Sequence, residues 1–298
     1  MTPAELLGRC TFPPGGTAVR CGVSGGADSS ALLVLAVAAG CDVTAVHVDH
    51  GLRAGSELES ARVAATAERF GASFEAHVAA VDPGPNLEAR AREARAAVLG
   101  PECLVGHTAD DQAETVLLAL LRGAGPAGLA GADPRRRPLL GLRRNETHEL
   151  CRSLGIDVVV DPSNDDPTFR RNRVRHELLP LLDDIAGRDV VPVLARTAAV
   201  NAAVAEHLDQ QAALIDPTVA AELAAAPAPV AAHAVRRWWR DETGVVHPPG
   251  VAAVARVLDV AGGRATRCEL PGGWRVSRTA GRLRLEGPRS QPGNVTPR

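Results

Sequence analysis

"CGVSGGADSSALLVLAVAAG", residues 21–40, decides the fold. An apolar run enters Ser24, Gly25, Gly26 and Ala27, meets Asp28 and Ser29, and continues as a helix-forming sequence to Ala39. Glycines at a strand-to-helix turn let backbone N–H groups approach an anion closely, and the helix start adds positive dipole there. Hydroxyls and N–H groups together suit pyrophosphate oxygens. Asp28 alone would serve as a plain helix cap, but the Ser-Gly-Gly before it points to phosphate. This is not a Walker A loop, which carries lysine after its glycines. The chain contains no lysine, so its 33 basic residues are all arginine.

Outward from this turn, strand and helix patterns alternate. Strands are predicted at 17–23, 42–48, 73–81, 103–107 and 156–161, and helices at 28–39, 57–71, 86–100, 110–123 and 145–155. Repeated βα units predict a doubly wound α/β fold with a parallel, Rossmann-like sheet. Ligands of such sheets bind at the carboxyl ends of the strands, so the loops after 23, 48 and 107 are the places to search. From about 187 onward the sequence turns alanine- and leucine-rich and reads as helices, broken by "DPT", "APAP" and "HPPG". Residues 266–286 alternate around glycines and predict a β hairpin or meander. The expected domains are 1–187, catalytic, and 188–287, smaller, mostly helical and substrate-binding with the terminal hairpin, followed by a disordered tail at 288–298.

The 298 residues are 45% hydrophobic and carry a net charge of −2. Any nucleic-acid contact must therefore use a local basic patch rather than a global field. Six cysteines without a C-x-x-C spacing read as reduced thiols. No signal-peptide pattern opens the chain, and the longest apolar run, 31–39, is too short to span a bilayer. The expectation is a soluble cytoplasmic protein with no membrane association.

The second loop, "HVDHGLR" (47–53), puts His47 and His50 around Asp49. No third metal ligand follows at a suitable spacing, so nucleotide or substrate contact is favoured over zinc. The third, "GHTADDQAET" (106–115), brings Gly106 and His107 before Asp110 and Asp111 at a helix start. Two acids there suit the helix dipole; beside a phosphate loop they also suit Mg²⁺.

Together these residues resemble the PP-loop ATP pyrophosphatase superfamily, whose signature is S-G-G-x-D-S. The ordered blocks "HVDHGLR", "GHTADDQAETVLLALLRGAGPAGLAG", "RPLLGLRRNE" and "DPSNDDPTFRRNRVRHELLPLL" are similar to those of the tRNA(Ile)-lysidine synthetase family, from about 18 to 183. The resemblance implies a two-step ligation. ATP adenylates the 2-carbonyl oxygen of the wobble cytidine in the CAU anticodon of tRNA(Ile), and pyrophosphate leaves. The ε-amine of free L-lysine then displaces AMP. It further implies ATP or pyrophosphate contacts at Ser24, Gly25, Gly26, Ala27, Asp28, Ser29, His47, Asp49, His50, Gly106 and His107. Mg²⁺ would lie at Asp28, Asp110 and Asp111, and catalytic duty would fall to Asp28, Asp110 and Arg122. A homodimer is left open.

The basic stretch "FRRNRVRH" (169–176) contains no acid. On a helix Arg171 and Arg175 share a face. Phe169, Arg171, Arg173 and Arg175 are the expected tRNA contacts, and a solvated basic face is the alternative. Trp238, Trp239 and Trp274 read as core. The rival enzyme reading, tRNA thiolation on the same fold, is disfavoured by the missing C-x-x-C. A nucleotide sensor without chemistry is disfavoured by the intact Asp28, Asp110 and Asp111.

Overall fold

Glycine stops and short apolar strands cut the chain into βα units, which the computed structural model describes over residues 1–49, 56–79, 87–159, 166–245 and 248–288. The chain divides into two compact units, Met1–Ala202 and Ala203–Arg298. The first begins with α1 (Pro3–Leu7), β1 (Ala18–Gly22), α2 (Ala27–Ala38), β2 (Asp42–Asp49), α3 (Ser56–Arg69), β3 (Ser73–Val78) and α4 (Leu87–Leu99). It continues with β4 (Leu104–Val105), α5 (Ala109–Leu121), α6 (Pro126–Leu129), α7 (Arg144–Ser153), α8 (Arg170–Arg173), a π-helical turn at Val174–Leu178, and α9 (Leu179–Ala186).

The four strands are parallel, in the order β3-β2-β1-β4. The chain moves outward from β1 through β2 and β3, then returns to place β4 on the other side of β1. That reversal opens a crevice beyond the carboxyl ends of β1 and β4, where doubly wound sheets bind ligands. Helix α2 is buried along most of its length, with Leu32, Leu33 and Leu35 sealed in the core beside Leu139, Leu142 and Leu150. Its first turn is thereby fixed at the crevice.

One predicted strand differs. Residues 156–159 join no ladder, and 160–161 lie outside the described residues. The Ile156 N–H closes α7 on the Cys151 carbonyl, and the Val159 N–H donates to the Gly25 carbonyl at 2.9 Å. The segment braces the turn after β1 instead of extending the sheet.

Helix α10 (Val191–Ala212) includes the point of division. The second unit continues with α11 (Ala220–Ala225), α12 (Ala228–Thr243), α13 (Val251–Ala261) and the antiparallel strands β5 (Arg267–Glu269), β6 (Arg275–Thr279) and β7 (Arg282–Glu286), ordered β5-β6-β7. Trp238 and Trp239 are buried with Val257 and Val276, and Trp274 meets Trp239 edge-on at 5.7 Å between ring centres. Each buried indole removes about 200 Å² from water, worth roughly 5 kcal/mol before entropy is subtracted. Five cysteines are buried: Cys21, Cys41, Cys103 and Cys151 in the first unit and Cys268 in the second. Burial pushes the Cys151 thiol up to about 12. Among the described residues, no helix is long and apolar enough to cross a membrane.

Candidate active site

The turn after β1 is built from small residues because its neighbours leave no room. Gly25 has φ +87°, and a Cβ there would stand 2.9 Å from the Val159 Cγ2. The Ser24 N–H donates to Ser29 Oγ at 3.1 Å, the two hydroxyls lie 3.1 Å apart, and Ser29 Oγ–H reaches the Gly26 carbonyl at 2.9 Å. These bonds close the turn onto the start of α2, where Gly26 is the N-cap and Ala27 the first residue.

The loop after β4 is pressed against the same turn. A Cβ on Gly106 would lie 2.5 Å from the Asp28 carbonyl oxygen and 3.0 Å from the Ser29 Cα. Only glycine permits this backbone approach, which brings His107 to the phosphate-type turn. The Arg137 Nε–H donates to His107 Nδ1 at 2.9 Å. An arginine N–H can only donate, so Nδ1 is the acceptor and the neutral ring carries its proton on Nε2. Burial, with help from the Arg137, Arg171 and Arg95 charges, pulls the imidazole down to about 4 against the opposing pull of Asp111.

Helix α5 starts here. The Thr108 backbone N–H and hydroxyl donate to Asp111 Oδ2 at 2.9 and 3.1 Å. Gln112 clamps the loop beyond α6, giving its amide to the Ala130 carbonyl and accepting from the Ala132 N–H. The acids that follow are held by arginines. Asp110 accepts from Arg143 Nε and Nη2 at 3.1 and 3.0 Å and from the Arg144 backbone N–H at 2.8 Å. Asp111 Oδ1 accepts from Arg144 and Arg171, each at 3.0 Å. Glu114, fully enclosed, accepts from Arg144 at 3.1 Å, Arg171 at 2.6 Å and Arg175 at 2.7 Å.

The electrostatics follow from this packing. Burial pushes the Asp111 carboxyl up, but Arg144, Arg171 and its other partners outweigh it and bring the group down to about 2. Asp110 lies below its ordinary value for the same reason, with Arg143 and the Arg144 N–H prevailing over burial. Asp28 goes the other way. Burial and neighbouring Asp111 raise its carboxyl, although Thr147 Oγ1–H donates to it and Arg144 stands 3.6 Å away.

The structure thus brings together Ser24 to Ser29, Gly106, His107, Asp28, Asp110 and Asp111. His47 is sealed beneath them, 2% exposed, with Nδ1 on the Val23 carbonyl at 2.9 Å, so it steadies the end of β1 and does not present its ring to a ligand. Asp49 ends β2, and His50 lies outside the described residues. Arg122 caps the far end of α5, exposed and about 18 Å along the helix from Asp110 by the ~1.5 Å rise per residue, so it is not brought to the acids. Arg171 and Arg175 do share a face, but that face meets Glu114 and Asp111. Arg173 is exposed and pairs with Glu177, and Phe169 is the half-buried N-cap of α8. Sequence reasoning left Thr147, Arg137, Arg143 and Arg144 without roles. The sign match between "RR" at 143–144 and "DD" at 110–111 was the available signal.

Among the described residues, no three His, Cys, Asp or Glu side chains gather to hold a metal ion. Mg²⁺ needs only one or two carboxylates when phosphates supply the rest. Asp28 fits that demand: it is the most open of the three aspartates and its charge is the least compensated. Asp110 and Asp111 fit poorly, since arginine donors occupy them.

A family model described as a PP-loop domain matches residues 6–182. The chain is similar to the tRNA(Ile)-lysidine synthase of Nocardia farcinica, 44% identical over 77% of this chain and 78% of that one. It is also similar to that of Salinispora tropica, 42% identical over 93% and 92%. Among solved structures it resembles the U34-tRNA thiolase NcsA from Methanococcus maripaludis, with a TM-score of 0.52 and 18% identity over 66% of this chain and 76% of that one, a likeness of fold alone. Residues 6–182 are therefore a PP-loop domain, and the chain belongs to the tRNA(Ile)-lysidine synthase family.

Proposed function

We propose that this chain, in the cytoplasm, uses ATP to join free L-lysine to the wobble cytidine of the CAU anticodon of tRNA(Ile), giving lysidine, AMP and pyrophosphate. The observation that carries the reading is the Ser24–Ser29 turn, pinned against Gly106 at the sheet's switch point in a chain of this family.

In this reading the β and γ phosphates lie against the N–H groups and hydroxyls of the turn, where the start of α2 adds positive potential. The cytidine 2-carbonyl oxygen attacks the α-phosphorus, and the bridging oxygen leaves with pyrophosphate. A neutral lysine ε-amine then forms a bond to the 2-carbon as the C–O bond to AMP breaks, and the nitrogen gives up a proton. His107 does not take that proton, because Arg137 occupies its acceptor nitrogen. Mg²⁺, when bound, supplies counter-charge to the polyphosphate, and Asp28 would hold it. Thr147 orients the Asp28 carboxylate for that duty. Within the basic segment we assign tRNA contact to the exposed Arg170 and Arg173, beside Phe169. The pair of Arg173 with Glu177 is exposed and screened by solvent, so a phosphate can replace the glutamate.

Pyrophosphate release, measured with ATP and each combination of lysine and CAU-anticodon tRNA(Ile), tests the proposal. Release should require the tRNA, and AMP release should require lysine as well. Turnover with a sulfur donor in place of lysine would favour thiolation and sink the reading.

A further inference from the structure

Arg143, Arg144, Arg171 and Arg175 all end on carboxylates. Arg137 does not. It gives its Nε–H to His107 and an Nη1–H to the Asp133 carbonyl at 3.2 Å, and no carboxylate among the described residues lies within salt-bridge distance. Asp133 spends its own oxygens on Arg135. Burial and the adjacent Arg136 press the Arg137 guanidinium below its ordinary value, outweighing the opposing pull of Asp133 and Asp111 at longer range.

The contact with His107 gives this pairing a single polarity. With Nδ1 accepting from Arg137, neutral His107 carries its proton on Nε2, and Arg137 keeps N–H groups beyond the two it has placed. The pair therefore offers donors and positive charge and no acceptor. Its location is fixed by Gly106, whose backbone touches that of Asp28 and Ser29.

We infer that Arg137 is a further substrate-binding residue, which with the His107 Nε2–H holds phosphate oxygens of the ATP whose β and γ phosphates occupy the Ser24–Ser29 turn. The inference rests on the ATP-dependent reading above and adds a residue to it. It separates two arginine classes on one rim. Those paired with acids shape the site, and the one paired with a neutral ring receives the anion.

The test is steady-state pyrophosphate release by the full chain with Arg137→Gln. The ATP KM is expected to rise about tenfold, the worth of one charge-assisted hydrogen bond. The KM values for lysine and tRNA and the salt dependence of tRNA binding should stay within about twofold, because phosphate contacts to RNA alone would set that salt slope. An unchanged ATP KM overturns the assignment, and so does a change confined to tRNA or lysine. If the glutamine variant unfolds, Arg137→Lys carries the same test. Its ammonium lacks the fork that meets His107 and a phosphate together, so the ATP KM should rise about threefold, and a wild-type value overturns the assignment. Wild-type protein that releases no pyrophosphate from ATP would instead sink the proposed function itself.

Discussion

Two aspartates that share Arg144 are tuned in opposite directions, and their substitutions should part company accordingly. The Asp28 carboxyl is raised, so the folded state binds its proton more readily than the unfolded chain, and its charge costs stability at neutral pH. Asp28→Asn is expected to keep or raise the urea midpoint at pH 7 while pyrophosphate release falls by about a hundredfold or more. A lowered midpoint with activity intact would mean that Asp28 only ties α2 to α7 through Thr147. Asp111 sits at about 2, below its ordinary value near 3.9. Its stabilisation is complete above that ordinary value and drains away as pH falls toward about 2. Asp111→Asn should therefore lower the midpoint at pH 7 and flatten the acid limb of stability between pH 4 and 2. An acid limb parallel to that of the wild type would contradict this account.

Segment 170–178 is tied to α5 through one shared side chain. Glu114 is sealed and accepts from arginines on α7, α8 and the π-helical turn. Glu114→Gln leaves three guanidinium groups with less counter-charge in a closed space, and breaking such a buried pair costs about 3–5 kcal/mol. The expected result is a lower urea midpoint together with faster hydrogen exchange confined first to 170–178. Uniform exchange across the first unit would show that the segment is held by its apolar contacts, Val174 and Leu179, instead. Element types along this stretch were legible because helical periodicity and glycine stops are local signals. The pairings were not, since Asp110 meets Arg143 across 33 residues and Glu114 meets Arg171 and Arg175 across 57 and 61. Arg171 and Arg175 share a face by spacing alone, but spacing does not say whether that face meets RNA or a buried acid.

At the scale of the molecule, the parallel sheet was readable from the alternating strand and helix patterns of the first half, and the helical C-terminal region from its alanine- and leucine-rich runs. Residues 156–159 of the predicted strand were misread since "IDVV" has strand chemistry, while the Ile156 and Val159 N–H groups are claimed by α7 and by the turn at Gly25. The two units also keep separate cores, built on α2 and its neighbours in one and on the tryptophans of α12 in the other. Each core encloses at least one cysteine, Cys151 in the first and Cys268 in the second, whose thiol burial has pushed up. Only the thiolate alkylates readily, so the folded chain resists a thiol reagent at neutral pH, and labelling waits for a unit to open. Because the chain has no lysine, trypsin cuts it after arginine alone. Cys151 then travels in "NETHELCR" and Cys268 in "CELPGGWR". The mass of each peptide against time is a separate clock for each half, and comparing the two reports whether the halves come apart together or in turn.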